Sequence, residues 1–233
     1  MKILILNGSP KGRRGVTYSL LTRFEQGMKN AGAITEIIHL VEMNIRQCLG
    51  CLHCWNSQDG KCVHQDDMDK ILPKMRDADL MVIESPVYYN NVTSILKIFL
   101  ERCMPLNSRD FCIDETGVYQ HQCRYKMPPI VMFSSCGLPD RTNFDIISFY
   151  GKLLAKHWNT SVAGEVYRSE SYLFEFSMPN IKILLADYNK RLVLAGEELA
   201  RNGFLSEDTT RKLNRALIDS DIYVHTGDEW FLK

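Results

Sequence analysis

The chain has 233 residues and a mass of 26.9 kDa, with 28 basic and 28 acidic side chains. At about 150 residues per domain, that length accommodates one elaborated domain or two small ones, and burial of roughly 70–75% of the unfolded surface needs no covalent staples. Zero net charge removes the usual argument for a nucleic-acid or acidic-membrane partner, and 45% hydrophobic with 24% charged residues argues against disorder.

Residues 3–6, Ile3-Leu4-Ile5-Leu6, form a continuous apolar run bounded by Asn7-Gly8-Ser9-Pro10. Continuous rather than alternating apolarity suits a central parallel strand covered on both faces. The run is too short for a signal peptide, and no stretch of the chain approaches the ~18–20 apolar residues of a membrane span. Eight cysteines without a secretory signal point to a reducing cytosol, with thiols or metal ligation before disulfides. A glycine-bearing polar loop, 8–15, leads into a predicted helix over 17–30 with Leu20, Leu21, Phe24 and Met28 on one face. Gly32 is a stop signal, and 34–40 is a second strand.

A cysteine-rich loop fills 48–62. Asp66-Asp67-Met68-Asp69 opens a helix through about residue 75, its acidic residues at the positive end. Residues 80–84 are a third strand, ended by Ser85-Pro86, and 94–103 a helix. Residues 104–129 show no clear period, and about 25 residues is long for a simple connection, which favours a lid or binding loop. Residues 130–133 are a fourth strand, 144–157 a helix and 161–167 a fifth strand. Two terminal helices, 181–202 and 207–220, follow, and the tail 223–233 has no clear assignment. Strand–helix alternation without repeats or biased linkers predicts one α/β domain over 1–233, an open doubly wound five-stranded parallel sheet of the nucleotide-binding or flavodoxin-like order. Ligands of such sheets sit at the carboxyl ends of the strands. Three ends stand out: 7–15, 85–91 and 134–137.

In the first of these loops, backbone amides and a helix N-terminus would face an anion, with hydroxyls from Ser9 and Thr17 and a charge from Lys11. Neither the dinucleotide fingerprint nor the P-loop is present, and an isolated loop of this kind would be a solvated basic turn; its place after the first strand favours phosphate. The second, Ser85-Pro86-Val87-Tyr88-Tyr89-Asn90-Asn91, would suit a planar, apolar-bodied ligand, or its aromatics pack in the core. Cys48, Cys51, Cys54 and Cys62 give C-x2-C-x2-C-x7-C. This spacing can wrap a [4Fe–4S] cube in one loop, whereas a lone zinc more often takes two separated pairs. Free thiols of a surface loop are the other reading. Trp55 is placed to cover that loop. Asp66-Asp67 is explained by a helix start, and no residue stands out as an acid–base catalyst.

Together these pieces resemble the flavodoxin-like NAD(P)H-dependent FMN reductases, and within them the iron–sulfur flavoproteins. The matching text is Asn7-Gly8-Ser9-Pro10-Lys11, the run from Cys48 to Cys62 into Asp66-Asp67-Met68, Asp77-Ala78-Asp79, Ser85-Pro86-Val87-Tyr88 and Ser135-Cys136-Gly137. Asn143-Phe144-Asp145 and 164–168 extend it to about residue 170. The resemblance implies a flavodoxin-like sheet binding FMN non-covalently. Ser9, Lys11, Gly15, Val16 and Thr17 would hold its phosphate, Pro86, Val87, Tyr88, Tyr89 and Asn90 its isoalloxazine, and Ser135, Cys136 and Gly137 would add a third contact. The family often has Asn-Thr where this chain has Val16-Thr17, so an Asn side-chain contact to phosphate is missing.

The resemblance implies oxidation of NAD(P)H, with electrons passed to a quinone, flavin, metal or protein acceptor and a cluster at Cys48, Cys51, Cys54 and Cys62 as a one-electron relay. It also implies a homodimer or homotetramer, with 94–103 and 104–129 as candidate contacts. Two other classes compete: a flavodoxin-like electron carrier without pyridine-nucleotide activity, and a redox or metal sensor built on the cysteine loop.

Overall fold

The computed structural model describes residues 1–57, 59–114, 117–176 and 178–231, with side chains through residue 225. Among the described residues the strands in chain order are β1 (Lys2–Asn7), β2 (Ile34–His39), β3 (Leu80–Pro86), β4 (Asn107–Ile113), β5 (Tyr119–Cys123), β6 (Ile130–Ser135) and β7 (Val162–Arg168). The helices are α1 (Val16–Asn30), α2 (His53–Asn56), α3 (Met68–Asp77), α4 (Ser94–Glu101), α5 (Asp145–His157), α6 (Pro179–Asn202), α7 (Glu207–Asn214) and α8 (Ser220–Phe231). Five strands form one parallel sheet in the order β2-β1-β3-β6-β7, the flavodoxin-like order, with its switch point between β1 and β3.

The continuous apolar runs are explained by two cores. From β1, Leu4 and Leu6 face a core with Met68, Ile71 and Met75 of α3, Leu96 and Phe99 of α4 and Ile147 of α5. Ile3 and Ile5 face the other way, against Leu20, Leu21, Phe24 and Met28 of α1 and Leu192, Ala195 and Leu199 of α6. Period-2 alternation is thus intact, but both faces are dry, so both sets are apolar. Helices α1 and α6 cross at close range: a Cβ built on Gly27 would lie 1.8 Å from the Val193 carbonyl oxygen, and one on Gly196 1.9 Å from that of Phe24.

Two expectations are corrected. The segment 104–129 contains an antiparallel hairpin, β4–β5, closed by hydrogen bonds from Gly117 N–H to the Asp114 carbonyl and from Val118 N–H to Asp114 Oδ1. Residues 115 and 116 lie outside the described residues. The Asp-x-x-Gly signal was legible, but irregular pairing between Asn107 and Phe111 obscures the strand period.

The expected helix 207–220 ends at Asn214, and a second helix, α8, begins only at Ser220 and takes in most of the unassigned tail, with residues 232 and 233 outside the described residues. A buried ion pair forces the break. Arg168 donates to the carbonyls of Leu213 (3.3 Å) and Arg215 (2.8 Å), while the Glu170 carboxylate accepts from Leu217 N–H (2.8 Å) and Ile218 N–H (3.3 Å). The Leu217 and Ile218 N–H groups, spent on Glu170, cannot also donate within a helix. Asn214, at the end of α7, bonds Tyr167 N–H and the Glu165 carbonyl, which covers the free edge of β7.

Candidate functional site

The carboxyl ends of β1, β3 and β6 converge on one cleft. It is lined by Ser9, Lys11, Gly15, Val16, Thr17, Pro86, Val87, Tyr88, Ser135, Cys136 and Gly137, together with Ser171, Tyr172 and Glu175. The chain reaches it from β1 through a tight turn in which Ser9 N–H donates to Asn7 Oδ1 (2.9 Å) and Lys11 N–H to Ser9 Oγ (3.3 Å). Helix α1 then starts at Val16 behind Gly15, with no side-chain cap. Its first three amides therefore have no intrahelical acceptor and carry the positive end of the helix dipole. Lys11 makes no ion pair among the described residues. Uncapped amides, hydroxyls and a lysine around one opening fit a phosphate monoester.

The Thr17 hydroxyl, 3% exposed, lies 2.6 Å from Ser135 Oγ and joins loops 118 positions apart. Thr17→Ala therefore removes a hydroxyl from the cleft lining and takes away the Ser135 hydroxyl's partner. FMN affinity is expected to fall roughly tenfold, with riboflavin affected less. Titrations of the variant with both flavins check this; equal losses would place the phosphate elsewhere.

Tyr89 and Asn90 stand apart from the cleft lining, at the tip of a two-residue turn with φ of 49° and 62°. Tyr88 and Asn91 close that turn through paired backbone bonds, and Tyr89 is fully exposed. Ser171, Tyr172 and Glu175 were not anticipated, because they follow β7 rather than one of the three marked strand ends. The Tyr172 ring seals one side of the cleft against Gly137, where a Cβ would meet it at 2.1 Å. From α8, the Tyr223 hydroxyl donates to the Gly137 carbonyl, so the C-terminal extension buttresses the third loop. Burial pushes the Cys136 thiol up, which keeps it neutral and unreactive at pH 7.

Beneath the first loop lies a buried carboxyl. Glu84 pairs in register with Asn7, is fully buried, and has no hydrogen-bond partner for either carboxyl oxygen among the described residues. Burial pushes it up to about 8, against the opposing pull of the nearby Ser9 and Gly8 amides. Glu84 is thus mostly protonated at pH 7 and places little negative charge under the first loop.

The four cysteines of 48–62 line a second, small apolar cavity with Arg102, Met104 and Pro105. Residue 58 of this loop lies outside the described residues. Gly50 and Leu52, at φ 63° and 56°, curl the loop, and Gly50 N–H donates to Cys48 Sγ at 3.5 Å. Cys54 is buried, Cys51 exposed, and all four are free thiols. Burial, and then the neighbouring Cys62, Cys48 and Cys51, push the Cys54 thiol up. No three His, Cys, Asp or Glu side chains among the described residues stand close enough to hold a single metal ion. A four-iron cube spaces its ligand sulfurs farther apart than one ion does, and four thiols around a dry cavity suit it in donor chemistry.

Trp55 docks this loop rather than covering it. Its Nε1–H donates to the Met104 carbonyl (3.1 Å), and its ring packs 4.2 Å from that of His121 on β5. Asp66, read from sequence as a helix-start residue, does accept Met68 N–H at the start of α3 (3.1 Å), but its main partner is Arg102 just after α4. Burial opposes ionisation of Asp66, yet hydrogen bonds from Arg102 and from the Arg46 and Met68 amides outweigh it and hold the carboxyl below its ordinary range.

The sheet order and the cleft at its switch point define the class, a flavodoxin-like protein. The sequence profile of NADPH-dependent FMN reductases matches residues 1–118, half of the chain, and the chain belongs to that family. The curated relatives it resembles are iron–sulfur flavoproteins. One iron–sulfur flavoprotein of Archaeoglobus fulgidus is 42% identical over 102 residues, 44% of this chain and 48% of the relative. Another from that organism is 34% identical over 164 residues, 70% of this chain and 66% of the relative. The chain thus spans about half to two thirds of the length of the curated relatives it matches. Among solved structures, an FMN-dependent NADH-azoreductase from Bacillus anthracis in complex with FMN shares the fold, with a TM-score of 0.59, 19% identity and coverage of 85% of this chain and 99% of that one. No helix among the described residues is long and apolar enough to cross a membrane.

Proposed function

We propose that the protein is a cytosolic FMN-dependent oxidoreductase that oxidises NAD(P)H and passes electrons to a quinone, flavin, metal or protein acceptor through a [4Fe–4S] cluster. The observation that carries this reading is the convergence of three strand-end loops on one cleft whose inner end is an uncapped helix N-terminus. The names of the curated relatives and of the azoreductase support it.

FMN, when bound, accepts a hydride as an electron pair and can release electrons singly, which suits a one-electron relay such as an iron–sulfur cluster. The chain's own part is binding and orientation. Ser9, Lys11, Thr17 and the first amides of α1 would hold the phosphate. Pro86, Val87 and Tyr88 would flank the ring system on one side, with Cys136, Gly137 and Tyr172 on the other. Cys48, Cys51, Cys54 and Cys62 would hold the cluster. Neutral Cys136 supplies no competing nucleophile and mostly protonated Glu84 little charge, and hydride transfer itself requires no acid–base residue. The assembly would be a homodimer or homotetramer, with α4 and the segment 104–129 as contacts.

The test is FMN reconstitution followed by steady-state NAD(P)H oxidation, then anaerobic reconstitution with iron and sulfide assays beside Cys54→Ser. Stoichiometric FMN, pyridine-nucleotide turnover and iron that falls in the variant are expected. FMN binding without NAD(P)H consumption would leave an electron carrier; no flavin at all would overturn the reading. Equal iron in parent and variant would remove the cluster from these cysteines.

A further inference from the structure

Resting on the cluster reading above, we propose that Arg102 is a positioning residue of the cluster, its Nε–H donating to the Cys62 sulfur when that sulfur is a thiolate ligand. The side chain is 1% exposed, and its partner Asp66 is fully buried. Nη1 donates to Asp66 Oδ2 (2.5 Å) and to the Arg46 carbonyl (2.8 Å), and Nη2 donates to Asp66 Oδ1 (3.1 Å). The fork is therefore committed. Nε is buried and has no partner among the described residues, a costly state for a charged donor.

The chemistry for that donor is at hand. Arg102 and Cys62 both line the four-cysteine cavity, and both also line the larger groove on whose wall Lys61, His64 and Arg76 stand. An ion pair needed only to pin α3 to α4 would use the fork alone. It would not require a buried Nε–H at the cysteine cavity. Arg102 is held by Asp66 and Arg46, outside 48–62, so the donor stays fixed when that loop adjusts.

Because Asp66 balances its charge, Arg102 acts through a directed N–H rather than through net charge. Hydrogen bonds to cluster sulfurs favour the reduced, more negative state and raise the potential. Removing this one should make the cluster harder to reduce.

The experiment is a redox titration by electron paramagnetic resonance of the FMN-loaded, anaerobically reconstituted full chain. Arg102→Lys keeps a cation for Asp66 but has no Nε. The double variant Asp66→Asn with Arg102→Gln removes both charges, so no orphaned carboxylate is left buried. Both are expected to carry iron, sulfide and FMN as the parent does. At a fixed potential their reduced-to-oxidised ratio should be roughly tenfold lower, equivalent to about 59 mV for one electron. Should the double variant fail to fold, Arg102→Lys carries the same readout. Parent-like potentials in cluster-bearing variants overturn the proposal while leaving the cluster reading intact. A parent without iron overturns both, and the two failures are told apart by the parent's own iron assay.

Discussion

Gly27→Ala is expected to destabilise the protein by roughly 3 kcal/mol, the upper part of the range for overpacking. Helix propensity alone gives the opposite sign, since alanine is favoured over glycine in a helix interior by about 1 kcal/mol. Tertiary packing decides the outcome. The added Cβ would lie 1.8 Å from the Val193 carbonyl oxygen, which belongs to the backbone of α6 and cannot rotate away. The helices must move apart, and that loosens Phe24, Met28, Leu192 and Leu199 together. Gly196→Ala meets the Phe24 carbonyl oxygen at 1.9 Å and acts on the same crossing. The double variant should therefore cost less than the sum of the singles, because one separation relieves both clashes. Urea unfolding followed by circular dichroism measures this. A Gly27→Ala protein within about 0.5 kcal/mol of the parent would mean that the helices do not cross this closely.

From pH 5 to pH 8 the parent is expected to lose stability relative to Glu84→Gln. The folded-state carboxyl titrates at about 8, against about 4.3 for an unfolded glutamate. Below the unfolded value both states hold the proton and Glu84 contributes no slope. As pH rises, the unfolded chain releases its proton first, so unfolding becomes easier until the folded carboxyl also ionises near pH 8. The difference over this window is on the order of a few kcal/mol. Asp66, whose folded carboxyl is held low, has the opposite sign, but its contribution is lost only as pH falls below the carboxylate range. His39, lowered by burial and then by Arg13, makes stability rise with pH up to the unfolded histidine value. Reading the parent against Glu84→Gln cancels both. FMN affinity should follow the same group, falling in the parent above pH 8 as charge appears beneath the Ser9 and Gly8 amides and staying level in the variant. A parent–variant difference that does not change with pH would show that Glu84 is not protonated.

Much of the fold was legible because its signals are local. The apolar runs at 3–6, 80–83 and 130–133 mark the three central strands, since a strand covered on both faces has few polar positions to interrupt it. The turn residues ending those strands locate the cleft, because a parallel sheet brings all its carboxyl ends to one edge. The cysteine spacing marks its loop for a similar reason: residues three apart in a curled segment share a wall without help from the rest of the chain.

What the sequence left open depends on residues far apart in the chain. Arg102 and Asp66 are 36 positions apart, and Thr17 and Ser135 are 118 apart. Arg168 and Glu170 end α7 through backbone groups 45 to 48 positions away, where the periodicity would have continued a helix. Tyr172 and Tyr223 join the cleft only because the segment after β7 folds back over Gly137. The sequence by itself determined the five strands of the parallel sheet, the cleft edge and the cysteine loop, since each is written in a short window of periodicity, turn chemistry or spacing. The tertiary structure alone decided which buried charges pair, which helices touch at glycine and which later residues wall the cleft, because those follow from where the chain returns in space.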